Sequence, residues 1–347
     1  MRKRLIFIVV IFFLLFLGMK EMENKKEASA QIFAMDTIMD LKLYGKNSEK
    51  VLKEAGKEIK RLENLFSPTL ENSDVFHINE TAGQSSVLVS SDTIDIIKTA
   101  KEIASDTNEA FDITIAPIVK KWGFTTKKHY VPSDEEILSL LNLVDSNQLE
   151  VQEQENKAFL KQKNMAVDFG GIAKGYTSDK LSEMIKENGI KSAILSLGGN
   201  ISAIGTRQNG QKWRVAVQDP EDSSKFVGIV NVENQSVITS GGYQRYFEEN
   251  GIIYHHIIDP KTGKPANNDL LSVTIISKNG TKADALSTAL FVMGLEKAVQ
   301  YWEQSKEFDV IFITKDKKII VTDGILNEFE LNKESQDYEM QELKDLK

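Results

Sequence analysis

Residues 192–239 read SAILSLGGNISAIGTRQNGQKWRVAVQDPEDSSKFVGIVNVENQSVIT, and this stretch decides the fold class. Four short β-branched runs follow one another: Ser192 to Ser196, Trp213 to Val217, Val227 to Val232 and Val237 to Thr239. Their connections are rich in Gly, Asn, Asp and Ser, and no helical period of apolar residues comes between them. A doubly wound parallel sheet needs a crossover helix after each strand, so that architecture is disfavoured. The same texture continues through Ile252 to Ile258, Ser272 to Ile276, Val310 to Thr314 and Lys318 to Val321. Helical patterns interrupt it from Lys282 to Met293 and from Glu296 to Gln304. The expected class is α+β, with helices packed on a largely antiparallel sheet.

The first half has one alternating strand, Thr37 to Tyr44, and helical periods over Asn47 to Phe66, Asp92 to Thr107 and Ile172 to Asn188. Ser133 followed by Glu136 makes a capping box that opens another helix, and Gly189 stands where a helix would end. At 347 residues, 41% apolar and 27% charged, the chain can bury a core without covalent staples. Zero Cys excludes disulfides, thiolate metal sites, iron–sulfur clusters and a cysteine nucleophile. Four His are too few for a His-rich centre, so any metal is expected to be a hard cation on oxygen ligands. A net charge of −8 argues against a nucleic-acid partner.

Met1-Arg2-Lys3-Arg4 precedes Leu5 to Leu17, which contains no polar residue. That is the layout of a secretory signal, and it is short for a membrane span of about 20 residues. The expectation is an exported, extracytoplasmic protein associated with a bacterial cell membrane through this segment. Phe16-Leu17-Gly18 has the shape of a lipobox, but Met19 stands where the lipid-bearing Cys belongs. Ala28-Ser29-Ala30 offers an alternative cleavage site. Residues 1–30 then read as signal or anchor and linker, 31–327 as the functional domain, and 328–347 as a charged, solvated tail.

Four segments combine glycine, carboxylate and hydroxyl residues. Asp168-Phe169-Gly170-Gly171-Ile172-Ala173-Lys174-Gly175 lies between a strand and a helix. Its glycines admit close backbone approach to an anion, and Lys174 adds a point charge, although a plain tight turn explains the glycines equally well. Asp284 and Thr288 stand one turn apart on one helix face, suited either to Mg²⁺ or Ca²⁺ or to dipole compensation at a helix start. In His255-His256-Ile257-Ile258-Asp259-Pro260-Lys261-Thr262-Gly263, neighbouring strand histidines point to opposite faces, so at most one reaches a given pocket. His256 is a candidate general base or phosphate contact, with a structural role as the alternative. Asn108-Glu109-Ala110-Phe111-Asp112-Ile113-Thr114 suits either a planar ligand ring or a core Phe beside a turn Asp.

Together with Ala34-Met35-Asp36-Thr37-Ile38-Met39, Phe66-Ser67, Asn72-Ser73, Asn79, Leu197-Gly198-Gly199-Asn200 and Thr239-Ser240-Gly241 with Arg245-Tyr246, these segments resemble one family. The chain is similar, from about Phe33 to Thr322, to the ApbE family of FAD:protein FMN transferases. The resemblance implies a T-fold-like α+β architecture. It implies FAD contacts at Met35, Thr69, Ala110, Phe111, Asp112, Asp168, Lys174 and Ile258, with Thr69 standing where an aromatic is frequent. It also implies Mg²⁺ on the Gly171 carbonyl, Asp284 and Thr288, and it sets Asp36 where Gly is commoner.

The implied reaction is Mg²⁺-dependent transfer of FMN from FAD to a Thr or Ser hydroxyl of an exported acceptor protein, with AMP leaving. The family's acceptor segment is of the Asp…Gly-Ala-Thr/Ser type. His256 is the first candidate for the base, with Asp284 and Asp168 as alternatives. Two other outcomes stay open: hydrolysis of FAD to FMN and AMP at the same site, or an exported protein that binds flavin without turnover.

Overall fold

The computed structural model describes residues 26–126 and 128–346. Strands of the first half are β1 (Glu27–Ala34), β2 (Thr37–Tyr44), β3 (Val87–Leu88), β4 (Leu149–Gln152) and β5 (Lys157–Leu160). Then come β6 (Ser192–Leu197), β7 (Asn200–Gly205), β8 (Trp213–Gln218), β9 (Phe226–Val232), β10 (Ser236–Gly241), β11 (Tyr246–Glu249) and β12 (Ile252–His255). The last are β13 (Leu270–Ser277), β14 (Asp309–Thr314), β15 (Lys318–Val321), β16 (Phe329–Leu331) and β17 (Glu339–Glu342). Helices α1 (Ser48–Phe66), α2 (Asp74–Glu80), α3 (Ser91–Asp106), α4 (Ala116–Trp122) and α5 (Asp134–Leu141) precede α6 (Ala173–Glu187), α7 (Gly280–Met293) and α8 (Leu295–Ser305).

Nine strands form one sheet in the order β1-β2-β6-β7-β10-β13-β14-β15-β17. Every neighbouring pair is antiparallel except β15 with β17. The expected α+β, T-fold-like class with a largely antiparallel sheet is what the chain adopts. Two tight hairpins bring polar and flexible residues to one end of that sheet's first strands: Met35-Asp36 joins β1 to β2, and Gly198-Gly199 joins β6 to β7. Met35 and Asp36 both take positive φ, 50° and 57°, as a two-residue loop matched to the strand twist requires.

One face of the sheet carries the helices. Val51, Leu52, Ala55, Ile59, Leu62 and Phe66, the residues picked out by helical period, form the buried stripe of α1. α1 packs on β1 and α6, α6 on α7, and α7 on β10 and β13. Because the sheet and three helices surround α7, it is buried on nearly every side, and residues from Ala283 to Leu290 are mostly core. The other face is covered by the sheet β16-β9-β8, through Trp213, Val215 and Val230 against Ile311 and Ile313. The capping box at Ser133 and Glu136 forms as expected.

Three expectations change. The supposed tail is tied in: β16 pairs with β9, β17 extends the main sheet, and the buried Tyr338 donates from its hydroxyl to Asp219 at 2.8 Å. Phe329, Tyr338 and Leu343 insert apolar surface while the charged residues between them face water, a pattern that overall charge density conceals. Ala28-Ser29-Ala30 lies inside β1, opposite Leu43, Lys42 and Leu41, so the folded domain begins before residue 31. No strand directly precedes Asp168, because β5 ends at Leu160 and irregular chain follows. The basic start, the run Leu5 to Leu17 and Met19 lie outside the described residues. Among the described residues no helix is long and apolar enough to cross a membrane.

Candidate functional site

The site begins where α6 crosses α7. A Cβ on Gly175 would fall 2.2 Å from the Gly280 carbonyl oxygen and 2.7 Å from Asp284 Cβ, so only glycine permits this approach. The same closeness lets Gly175 N–H donate to Asp284 Oδ2 at 2.8 Å. Asn200, delivered by the β6–β7 hairpin, donates from Nδ2 to Asp284 Oδ1 at 2.8 Å. Lys174 Nζ stands 3.9 Å from that oxygen and donates to the Gly170 carbonyl at 3.4 Å. Asp284 is therefore a buried carboxylate, 3% exposed, fixed by two neutral donors and one nearby cation.

Dipole compensation does not explain Asp284. Asp179 of α6 takes the donors at the start of α7, accepting from Gly280 N–H, Thr281 N–H and the Thr281 hydroxyl at 2.9, 2.8 and 2.7 Å. Asn279 caps the helix as well. One turn beyond Asp284, Thr288 Oγ1 lies 3.1 Å from Ser240 Oγ, which is itself 2.8 Å from Ser287 Oγ. A Cβ on Gly171 would lie 2.9 Å from Phe111 Cε2 and 3.8 Å from Thr288 Oγ1. Gly171 thus threads its backbone between the Phe111 ring and Thr288. Gly171 and Thr288 are thus neighbours, and Thr288 follows Asp284 by one turn of α7. Among the described residues no three His, Asp or Glu side chains converge as a metal cluster.

Asp168 borders this wall. Asn79 grips Val167 through paired bonds, Nδ2 to the Val167 carbonyl at 3.1 Å and Val167 N–H to Oδ1 at 2.7 Å. Asp168 Oδ1 accepts from Gly170 N–H at 2.7 Å. Burial raises the Asp168 carboxyl above its ordinary range, against the opposing pull of that N–H and of the Arg245 and Lys174 charges.

The opposite wall is looser. Met35 N–H donates to Glu63 at 2.7 Å, and the Thr177 hydroxyl meets the Met35 sulfur at 3.8 Å. Arg245 reaches Asp36 from the segment between β10 and β11. The Arg245 carbonyl accepts from His256 N–H at 3.0 Å and lies 3.1 Å from the His256 ring Nδ1. A carbonyl only accepts, so Nδ1 carries the proton and Nε2 keeps its lone pair. Burial lowers the imidazole to about 4, leaving it neutral near pH 7. His255 faces away and contacts the Ala266 carbonyl from Nε2 at 2.9 Å, so only one of the pair serves this side.

The other residues expected as FAD contacts also make contacts within the fold. Asp112 is buried and accepts from Thr114 N–H, the Thr114 hydroxyl and Ser146 N–H at 2.7, 2.7 and 2.9 Å. These three bonds tie its carboxylate into the turn before α4. Ile258 sends its side chain into a separate core with Ile118, Trp122 and Ile137. Ala110 is buried beside Phe111, while Thr69 is exposed with its hydroxyl 3.2 Å from Ser67 Oγ. Asn200, Ser240 and Arg245 lie in segments that carry the family resemblance, yet sequence reasoning attached no chemical role to them. A polar residue directly after Gly198-Gly199, at the start of an otherwise apolar strand, is the available signal for Asn200.

Known proteins resemble the chain in both sequence and fold. The sequence profile described as the ApbE family matches residues 35–312. An FAD:protein FMN transferase of Klebsiella pneumoniae (strain 342) is 34% identical over 302 residues, covering 87% of this chain and 93% of the relative. One of Treponema pallidum (strain Nichols) is 31% identical over 320 residues, covering 87% and 88%. The flavin transferase ApbE of Vibrio cholerae superposes with a TM-score of 0.76 at 28% identity, covering 84% of this chain and 94% of that one. The ApbE protein of Thermotoga maritima gives 0.78 at 29% identity, covering 91% and 100%. With its glycine, carboxylate and hydroxyl segments gathered around one site and its fold shared over most of its length, the chain belongs to the ApbE family.

Proposed function

We propose that this chain is an FAD:protein FMN transferase that moves FMN from FAD to a Thr or Ser hydroxyl of an exported acceptor protein. The observation that carries the reading is the Asp284 carboxylate, aligned by Gly175 and Asn200 beside Thr288 and the Gly171 backbone. These donors are all oxygen, and the carboxylate keeps lone pairs beyond its two hydrogen bonds, which suits a hard cation. Asp284, Thr288 and the Gly171 carbonyl would hold Mg²⁺, which when bound supplies neutralisation of pyrophosphate charge.

The chain's own residues do the remainder. Lys174 and the N–H groups at the start of α6 bind phosphate oxygens. Phe111, wedged against Gly171, closes one side of the site. His256 Nε2, free and neutral, accepts the proton of the acceptor hydroxyl. That oxygen bonds to the FMN phosphorus, the bond from this phosphorus to the bridging oxygen breaks, and AMP leaves with that oxygen. The apolar run after Met1-Arg2-Lys3-Arg4 supports an extracytoplasmic, membrane-associated location for this chemistry.

The test is incubation with FAD, MgCl₂ and an acceptor peptide carrying a Gly-Ala-Thr segment, read by intact mass. Addition of FMN to the peptide is expected, together with AMP. AMP and free FMN without a mass gain would make the protein a pyrophosphatase, and FAD left intact would make it a flavin carrier.

A further inference from the structure

We infer that Asp36 and Arg245 form a positioning latch, in which the β1–β2 turn holds Arg245 and thereby sets the orientation and charge surroundings of the His256 imidazole. The inference rests on the reading of His256 as the base. Asp36 meets Arg245 twice: its carboxylate lies 3.6 Å from Nη1, and its carbonyl accepts from Nη2 at 3.3 Å. On the other side of the same residue, the Arg245 carbonyl receives both the backbone N–H and the ring Nδ1–H of His256. The imidazole edge is otherwise set against Phe124, with centroids 6.4 Å apart and planes at 68°. One arginine therefore connects the hairpin turn to the ring.

The charges around the ring are one-sided. The Arg245, His255 and Lys174 charges each disfavour its protonated form. Asp36 is the counter-charge to Arg245, and Arg245 and Lys174 act on Asp168 as well. Stability is not what this pair supplies, since its side chains are 52% and 62% exposed. Asp36 also occupies a left-handed backbone position, φ 57°, where glycine would be unstrained. Replacing it with glycine should therefore leave the fold as stable or more so while releasing Arg245. A merely structural residue would behave in the opposite way.

The experiment pairs steady-state FMN transfer with NMR titration of the His256 ring, assigned through H256Q, in D36G, D36N, R245Q and the wild type. D36N is expected to move the ring's midpoint about 0.3 lower in pH, and R245Q to move it at least as far upward. For D36G, kcat should fall roughly threefold to tenfold with KM for FAD within about twofold and Tm unchanged or raised. Midpoints that stay put in both D36N and R245Q overturn the latch. A raised KM with kcat intact overturns it too, because Arg245 would then be binding FAD. If the midpoints move as expected but H256Q transfers FMN at the wild-type rate, the latch stands and the assignment of the base falls.

Discussion

The two walls of the site are built to different standards of rigidity. On one, Asp284, Asn200, Ser240 and Ser287 are all buried, hydrogen-bonded to one another or to backbone, and locked by a helix crossing that admits no side chain at Gly175. On the other, Met35, Asp36, Arg245 and His256 come from turns and connecting segments, and Arg245 and Asp36 are more than half exposed. A phosphate-binding wall gains from preorganisation, because donors already aligned need no rearrangement as charge develops. A wall that must admit a segment of a second protein cannot be sealed in the same way. Under the proposed function, the difference suits α6 and α7 to small-molecule binding and the β1–β2 turn and the region around β11 and β12 to acceptor entry.

The contrast can be attacked from its rigid side first. Asp284→Asn keeps an acceptor for Gly175 N–H but removes the charge, and transfer should fall about 10³-fold, about 4 kcal/mol of barrier. Circular dichroism and Tm should show the protein still folded; a loss below tenfold would remove Asp284 from the chemistry. Gly175→Ala forces a methyl into the Gly280 carbonyl and should destabilise the protein by about 3 kcal/mol in urea unfolding. A stable Gly175→Ala protein would mean that the helix crossing is soft.

On the looser wall, His256→Gln should lower kcat about 100-fold while leaving the KM for FAD nearly unchanged. Parallel loss of FAD binding would make His256 a ligand contact. Asp112→Asn provides the control between walls. Its new amide must face the Ser146 N–H donor, so stability should drop by about 2 kcal/mol while the KM for FAD changes little. A large change in KM with unaltered stability would return Asp112 to the ligand.

The smallest effect concerns pH. His256 titrates near 4 in the folded protein, against about 6.5 in an unfolded chain. Between those values the unfolded chain binds the extra proton, so stability is full above about pH 6.5 and declines as pH falls toward 4. The decline attributable to His256 should be about 1 kcal/mol after solvent screening, and urea midpoints for His256→Gln should show a correspondingly flatter slope.

Much of the scaffold is legible in the sequence. The stripe on α1, the capping box at Ser133 and the consecutive strands after Ser192 all rest on periodicities that survive packing. Asp284 with Thr288 is visible because helical spacing fixes which side chains share a face. The terminal strands escape a sequence reading because their few buried residues, Phe329, Tyr338 and Leu343, are diluted among charges. Asp112 stays ambiguous in the sequence because an acid beside an aromatic has the same local pattern whether it serves a ligand or a turn.

Residue chemistry and spacing alone established an α+β chain with an oxygen-donor pair on one helix and no cysteine chemistry. They are local properties, carried by neighbouring residues whatever the rest of the chain does. That Asn200 and Gly175 orient Asp284, that Asp179 rather than Asp284 caps α7, and that Asp36 meets Arg245 beside His256 became visible only in the folded chain. Each of those contacts joins residues far apart in sequence, and such contacts depend on which elements pack together, a matter settled by burial over the whole molecule.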